Sequence, residues 1–321
     1  MCTYNGESYL QEQLNSMLIQ STLPDELIVC DDGSVDKTIE IIETFKISAP
    51  FLVRLYKNDT QTPLRPTKNF ERAISLCKGE MIVLCDQDDV WYPNKLSLLQ
   101  KAIDDGMGLV FSNADLVDAH LNSLDDTLFG SFNLSNIENS LLKQNKVFEI
   151  LVKRNIVTGA ATAFSNRYLP LILPISENWV HDGWLGILIA SMGKVKVISE
   201  PLFQYRQHSK NQIGAKKLNF KQKINRVKKL GNVYYLELLN GFIEARSRLI
   251  NLNPEMTESS VIKLLDKKII HLTKRSKLAV SPSFPIVSLT LELFACSYHK
   301  FSRGYISYCR DLAMMVLNKI D

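Results

Sequence analysis

The sequence has no long apolar run, no paired cysteines and no large excess of charge of either sign. The longest late apolar stretch, Ile286 to Tyr298, is interrupted by Glu292 and falls well short of the ~20 residues that span a bilayer, which argues against a membrane-crossing helix. The opening residues, Met1-Cys2-Thr3-Tyr4-Asn5-Gly6, carry neither the basic nor the apolar part of a secretory signal, so an intracellular, cytoplasmic protein is expected. Six cysteines, Cys2, Cys30, Cys77, Cys85, Cys296 and Cys309, show no C-x-x-C spacing; all are read as reduced core residues, neither a disulfide set nor zinc ligands. The net charge of +4 is far from the clustered excess of a protein that lives on nucleic acid, and no such partner is expected. With 45% hydrophobic and 22% charged residues, the 321-residue chain is globular, neither disordered nor fibrous.

What is present is an alternation of element types. Leu10, Leu14, Met17 and Leu18 mark one helix face between Glu7 and Ser21, closed by Leu23-Pro24. Glu26 to Cys30 is a short apolar strand ending in Asp31-Asp32-Gly33-Ser34, and Ile39, Ile42 and Phe45 begin a second helix. The unit repeats with a strand at Phe51 to Tyr56, a helix face at Phe70, Ile74 and Cys77 with Gly79 as its C-cap, and a strand at Met81 to Cys85 that again ends in aspartates. Such alternation predicts a mostly parallel sheet with helices on both faces. Ligands of these sheets sit at the carboxyl ends of the strands, so the acidic turns 31–34 and 86–89 are expected to converge. Further strands are expected at Leu109 to Ser112 and Val195 to Ile198, and a helix from about Asp182. The chain after Lys216 reads as helical, which gives a catalytic domain over 1–215 and a helical region over 216–321.

Four groups of residues offer chemistry. Asp86, Asp88 and Asp89 repel one another unless a cation or solvent relieves them, and all-oxygen ligands select magnesium or manganese over zinc. Alone, the turn reads better as a solvated loop capping the helix after Pro93. Asp31-Asp32-Gly33-Ser34 is either a turn with Ser34 as helix cap or a carboxylate facing a nucleobase or ribose. Asp182, beside His181, either caps a helix or takes a proton from an attacking hydroxyl. Arg206 and His208 share one side of an extended segment, which is either suited to a diphosphate or a metal or simply a basic strand end at the surface.

Taken in order, Thr3-Tyr4-Asn5-Gly6, Asp31-Asp32-Gly33-Ser34, Lys68-Asn69-Phe70, Asp86-Gln87-Asp88-Asp89-Val90-Trp91 with Asn94-Lys95-Leu96, His181-Asp182 and Tyr205-Arg206-Gln207-His208 with Asn211 resemble the family 2 glycosyltransferases, in particular the rhamnosyltransferase-like bacterial branch. The resemblance covers residues 1 to about 215. It implies an α/β GT-A fold, a Rossmann-like mixed sheet with helices on both faces, and inverting transfer from a UDP- or dTDP-sugar such as dTDP-rhamnose. It also implies a magnesium or manganese ion and a lipid-linked or growing surface-polysaccharide acceptor. On this resemblance Thr3, Tyr4 and Asp31 contact the base, with Asn5, Asp32, Lys68, Asn69 and Gln87 also around the donor. Asp86 faces the ribose or the metal, Asp88 ligates the metal, Asp182 is the general base, His208 completes the metal or diphosphate site and Arg206 meets the diphosphate.

The chain departs from the family in two places. Most of the first strand expected before Thr3 is missing, so a truncated first strand is expected, and Thr62-Pro63-Leu64-Arg65-Pro66 replaces a glycine-containing loop. The rival readings are a nucleotidyltransferase and an inactive nucleotide-binding remnant. Lys216 to Leu230 carries seven basic residues and no acidic one, with Phe220, Ile224 and Val227 along one face, a pattern suited to peripheral contact with an anionic membrane or to packing on the catalytic domain.

Overall fold

The computed structural model describes residues 1–60, 62–208, 220–277 and 286–317, and the side chains of all of these except 220–233, 286 and 315–317. The chain forms two compact units: Met1–Val147, Ile156–Ile175 and Val180–Ala215, and then Phe148–Asn155, Ser176–Trp179 and Lys216–Asp321.

The first unit begins β1 (Cys2–Thr3), α1 (Leu10–Leu18), β2 (Glu26–Asp31), α2 (Thr38–Ser48), β3 (Leu52–Lys57), α3 (Arg65–Leu76). Strands β1, β2 and β3 lie parallel, in that order. The unbroken apolar run of β2 follows from burial on both faces: Leu27 and Val29 pack with Leu10, Leu14, Met17 and Ile42, whereas Ile28 and Cys30 point the other way onto Ala73 of α3. The C-cap expected at Gly79 does not form: α3 ends at Leu76 with an extended Cys77 in the cap position, two residues before the glycine.

A second sheet contains β4 (Met81–Val83), β5 (Val90–Trp91), β6 (Leu109–Val117), β7 (Ser123–Thr127), β8 (Thr162–Ser165) and β9 (Val195–Arg206), in the order β4-β8-β6-β9-β5 with β7 beside β6. Only β6 and β9 are parallel; the β4–β8, β6–β8, β5–β9 and β6–β7 pairs are antiparallel. The expectation of a mostly parallel sheet therefore holds for the first sheet alone, and the molecule has the mixed sheet. The small-residue segment after Thr158 supplies β8, which enters between β4 and β6 from the opposite direction. Strand β9 is three times the expected length. The Ser199-Glu200-Pro201 interruption that hides its second half falls where the β6–β9 register shifts, and a bulge tolerates a proline there. Cys2 N–H donates to Cys85 O and joins the two sheets where their acidic turns lie.

Helices α4 (Lys95–Asp104), α5 (Leu128–Ser131), α6 (Asn136–Lys143), α8 (Leu169–Ile172) and α9 (His181–Met192) complete this unit, and α7 (Val147–Lys153) leads into the second. There, α10 (Phe220–Leu252) buries Tyr235, Leu239, Phe242, Ala245 and Leu249 at helical spacing, and α11 (Ser260–Ser276) buries Ile262, Leu265, Lys268 and Leu272. Helices α12 (Ile286–Phe294), α13 (Ser297–Phe301) and α14 (Tyr305–Leu317) share a core of Leu289, Leu293, Tyr298, Tyr308 and Leu312.

A buried polar network ties this unit together. Arg275 donates to both oxygens of Asp311, to Tyr235 Oη and to Ser302 Oγ. His271 joins Glu292 through Nδ1 at 2.9 Å and Ser302 through Nε2 at 3.0 Å. Cys30 and Cys85 are buried as expected, but Cys296 and Cys309 are exposed, which corrects their reading as core residues. Of the basic stretch Lys216 to Leu230, residues 216–219 and all the side chains lie outside the described residues. Among the described residues no helix is long and apolar enough to cross a membrane.

Candidate functional site

The turn after β1 and the turn after β2 are built into one another. Asp31, 1% exposed, accepts Thr3 Oγ1–H at 2.7 Å and Ser34 Oγ–H on one oxygen, and the Gly33 and Ser34 amides at 3.0 and 2.8 Å on the other. Asn5, at φ 47°, receives a hydrogen bond from Val35 N–H on its Oδ1 and gives its own N–H to Ser34 Oγ. Ser34 is thus not a helix cap: α2 begins at Thr38, whose amide donates to Asp36. Asp32 accepts Asn58 Nδ2–H and the Leu64 and Arg65 amides, fixing the proline-flanked loop. Asn69 reaches Cys30 O at 2.8 Å, while Lys68 pairs with the part-buried Glu71 at 3.4 Å. The carboxylates expected to meet a nucleobase are therefore engaged in shaping the two turns. The Tyr4 ring is 52% exposed at their edge.

The acidic turn 86–89 connects β4 to β5 and faces these loops. Gln87 bridges directly to the first turn, accepting Tyr4 N–H at 2.9 Å and donating to Tyr4 O at 3.1 Å. Ligand oxygens of Asp86, Asp88 and Asp89 lie within 4.8 Å of one another. Burial, then the charges of Asp88 and Asp182, push the Asp86 carboxyl up to about 7. Burial, then Asp88 and Asp86, raise Asp89 well above the usual carboxylate range. Asp89 Oδ1 accepts the Arg206 amide, whereas its buried Oδ2 has no hydrogen-bond partner. An orphaned carboxylate oxygen facing two other carboxylates is a set of hard oxygen donors that a divalent cation would satisfy. The turn caps nothing, since α4 starts after Asn94, which makes no side-chain cap bond.

Arg206 and His208 hold this turn from the end of β9. The Arg206 side chain, 1% exposed, donates Nε to Asp88 O and Nη1 to Ala119 O, both at 2.7 Å, and Nη2 pairs with Glu12. A guanidinium so placed fastens the turn and is not presented to a diphosphate, which revises the expectation from sequence. His208 Nε2 lies 2.8 Å from Asp88 Oδ2, and its ring stacks on Tyr9 at 4.8 Å.

Asp182 lies in the first turn of α9 and is not its cap, the N-cap position being Val180. It is buried, accepts Gly159 N–H at 3.2 Å, and is close enough to Asp86 to raise its pKa. The adjacent His181 stacks on Phe70 at 4.1 Å, and burial pulls its pKa down to about 4, so it is neutral at pH 7.

The sequence reading gave Lys95 no role. Its Nζ is fully buried beneath the acidic turn, donating to Ala160 O at 2.7 Å and lying 4.0 Å from the Phe203 ring centre and 4.4 Å from that of Trp91. Burial lowers its pKa to about 8, opposed by Cys85, Asp89 and Asp86. The signal was available: Lys95 stands four residues before Leu99 and seven before Ala102, on the buried face of α4.

The sequence profile of glycosyl transferase family 2 matches residues 1–165. A dTDP-rhamnosyl transferase, RfbG of Shigella flexneri, is 28% identical over 247 residues, covering 73% of this chain and 80% of the relative. The UDP-Glc:alpha-D-GlcNAc-diphosphoundecaprenol beta-1,3-glucosyltransferase WfgD of Escherichia coli is 26% identical over 193 residues, 59% of this chain and 68% of the relative. Among solved structures, S. aureus TarS 1-349 with UDP-GlcNAc superposes with a TM-score of 0.52 at 16% identity, covering 96% of this chain and 88% of that one. The mannosyltransferase PcManGT from Pyrobaculum calidifontis, with GDP-Man and Mn2+, gives 0.50 at 14% identity, covering 99% and 84%. At these identities the structures speak for the fold, which is GT-A.

Proposed function

The chain belongs to the family 2 glycosyltransferases, and from that premise we propose that the catalytic domain within residues 1–215 transfers a sugar, with inversion, from a UDP- or dTDP-sugar to a lipid-linked or growing surface glycan, while 216–321, joined by 148–155 and 176–179, form the helical unit. The rhamnosyl and diphosphoundecaprenol-linked chemistries in the relatives' names support this choice of donor and acceptor, dTDP-rhamnose included. The nucleotidyltransferase alternative finds no support in the family match.

The observation that carries the reading is the convergence of Asp86, Asp88 and Asp89 with one buried oxygen unsatisfied. These residues fit a magnesium or manganese ion held by Asp86 and Asp88, with Asp89 and His208 beside them. Such an ion, when bound, supplies charge neutralisation to the departing diphosphate. The protein's own residues do the rest. Tyr4 offers an exposed ring to the base, and Thr3, Asn5, Asp31 and Asp32 hold the two loops that frame it. Asn69 anchors α3 to the end of β2 through Cys30 O, behind the loop that Asp32 holds. Asp182 takes the proton of the acceptor hydroxyl as its oxygen attacks the anomeric carbon from the face opposite the nucleoside diphosphate, so one base is enough. His181, neutral and stacked, adds no competing positive charge beside it.

Calorimetry with UDP and dTDP, with and without manganese, tests this. Binding of at least one nucleotide that requires manganese and disappears with a chelator is expected. If neither nucleotide binds, the reading fails, and the nucleotidyltransferase alternative fails with it.

A further inference from the structure

We propose that the outward face of α12, with the start of α14, docks on an anionic phospholipid surface. The proposal rests on the helical unit alone and does not depend on which sugar the enzyme moves. In α12, Leu289 and Leu293 turn into the core of the unit, whereas Val287, Leu291 and Phe294 form a stripe on the opposite side and are 65%, 63% and 80% exposed. Spacings of four and three residues put these three on one helix face. On the neighbouring α14, Tyr305 and Ile306 are 65% and 73% exposed. Single exposed apolar residues are ordinary, but an aligned stripe of large ones is a contact surface.

Charge identifies the occupant. Residues 216–321 hold 19 Lys and Arg against 8 Asp and Glu, whereas residues 1–215 hold 19 against 26, so the mild net charge of +4 conceals a strongly basic helical region and an acidic remainder. Lys300 and Arg303, both exposed, lie in the chain between the apolar stripe and Tyr305. Apolar side chains projecting from a basic surface match the acyl boundary and the phosphates of an anionic leaflet. A second copy of the same surface would bring like charges together.

The test is co-sedimentation of the full chain with vesicles of phosphatidylcholine alone, and of phosphatidylcholine with phosphatidylglycerol, at low and high salt. Retention on the anionic vesicles at low salt, reduced by high salt, is expected. The double variant Leu291→Glu/Phe294→Glu should lose roughly tenfold or more of that binding. The control Ile47→Glu, at an 88% exposed position of α2, should bind as the wild type does. Circular dichroism and melting of each variant verify the fold. Absence of binding to anionic vesicles, equal binding by the double variant, displacement from vesicles by single-stranded RNA, or a dimer in solution that the double variant dissolves would each overturn the proposal.

Discussion

Arg206 shows how far a residue's type can mislead about its use. A basic residue at the end of a strand near three aspartates suggests a phosphate contact, yet its fork is spent on Asp88 O, Ala119 O and Glu12. Lysine, with one cationic point on a shorter reach, cannot span three partners. Arg206→Lys and Arg206→Ala should both destabilise the protein by on the order of 3 kcal/mol in urea unfolding, because buried carbonyls lose their donors. An unchanged urea midpoint would return Arg206 to the ligand. Asp88 and Asp182 should behave oppositely. Asp88→Ala is expected to abolish manganese-dependent nucleotide binding, and Asp182→Asn to lower kcat by roughly 10²–10⁴ with donor KM retained, both with unfolding little changed. Full transfer activity in either variant would refute its assigned role. The aspartates were legible through the ordered set of motifs around them, since alone each acidic turn also reads as an ordinary loop. The partners of Arg206, namely Glu12, Tyr9 and Ala119, were not, because they come from remote segments that no local pattern connects to position 206.

At the scale of elements, the first half of the fold was readable throughout, whereas in the second half β6, α9, the start of β9 and the C-terminal helices were readable but β8 and the rest of β9 were not, for a reason seen in those two strands. A strand covered on both faces writes itself as an apolar run, as β2 does. Thr162–Ser165 is short and rich in small residues, and β9 is broken by Glu200-Pro201 at a bulge, so neither carries that mark. Strand direction is absent from periodicity altogether, hence the unexpected antiparallel pairs. The join between the two acidic loops is likewise tertiary. A β-carbon on Gly6 would come 2.4 Å from Gln87 Oε1, so Gly6→Ala must push Gln87 off the Tyr4 backbone. Gly6→Ala and Gln87→Ala should each cost about 1–2 kcal/mol, and the double variant little more than either alone. Additive losses in a double-mutant cycle would show that the two residues act separately.

For the whole molecule, part of the stability lost in acid comes from the helical unit. Hydrogen bonds from His271 and Lys274 hold the Glu292 carboxyl down to about 2 against burial, below the ordinary value near 4.5. A carboxylate with a depressed folded pKa contributes its full stability above the unfolded value, and that contribution is lost as pH falls from about 4.5 to about 2. Glu292→Gln should therefore lower Tm at pH 7 and show a shallower decline across this acidic window; parallel Tm–pH curves for the two proteins would contradict it. The acidic turn sets a different linkage. Three carboxylates gathered within 4.8 Å, one of them with a buried bare oxygen, repel one another in the ligand-free chain. Any ion that relieves them binds the native state in preference to the unfolded one, adding about 2.7 kcal/mol at a hundredfold excess over its Kd. The melting temperature becomes a catalysis-free titration signal that ranks divalent ions by affinity and reports site integrity before any sugar donor or acceptor is known.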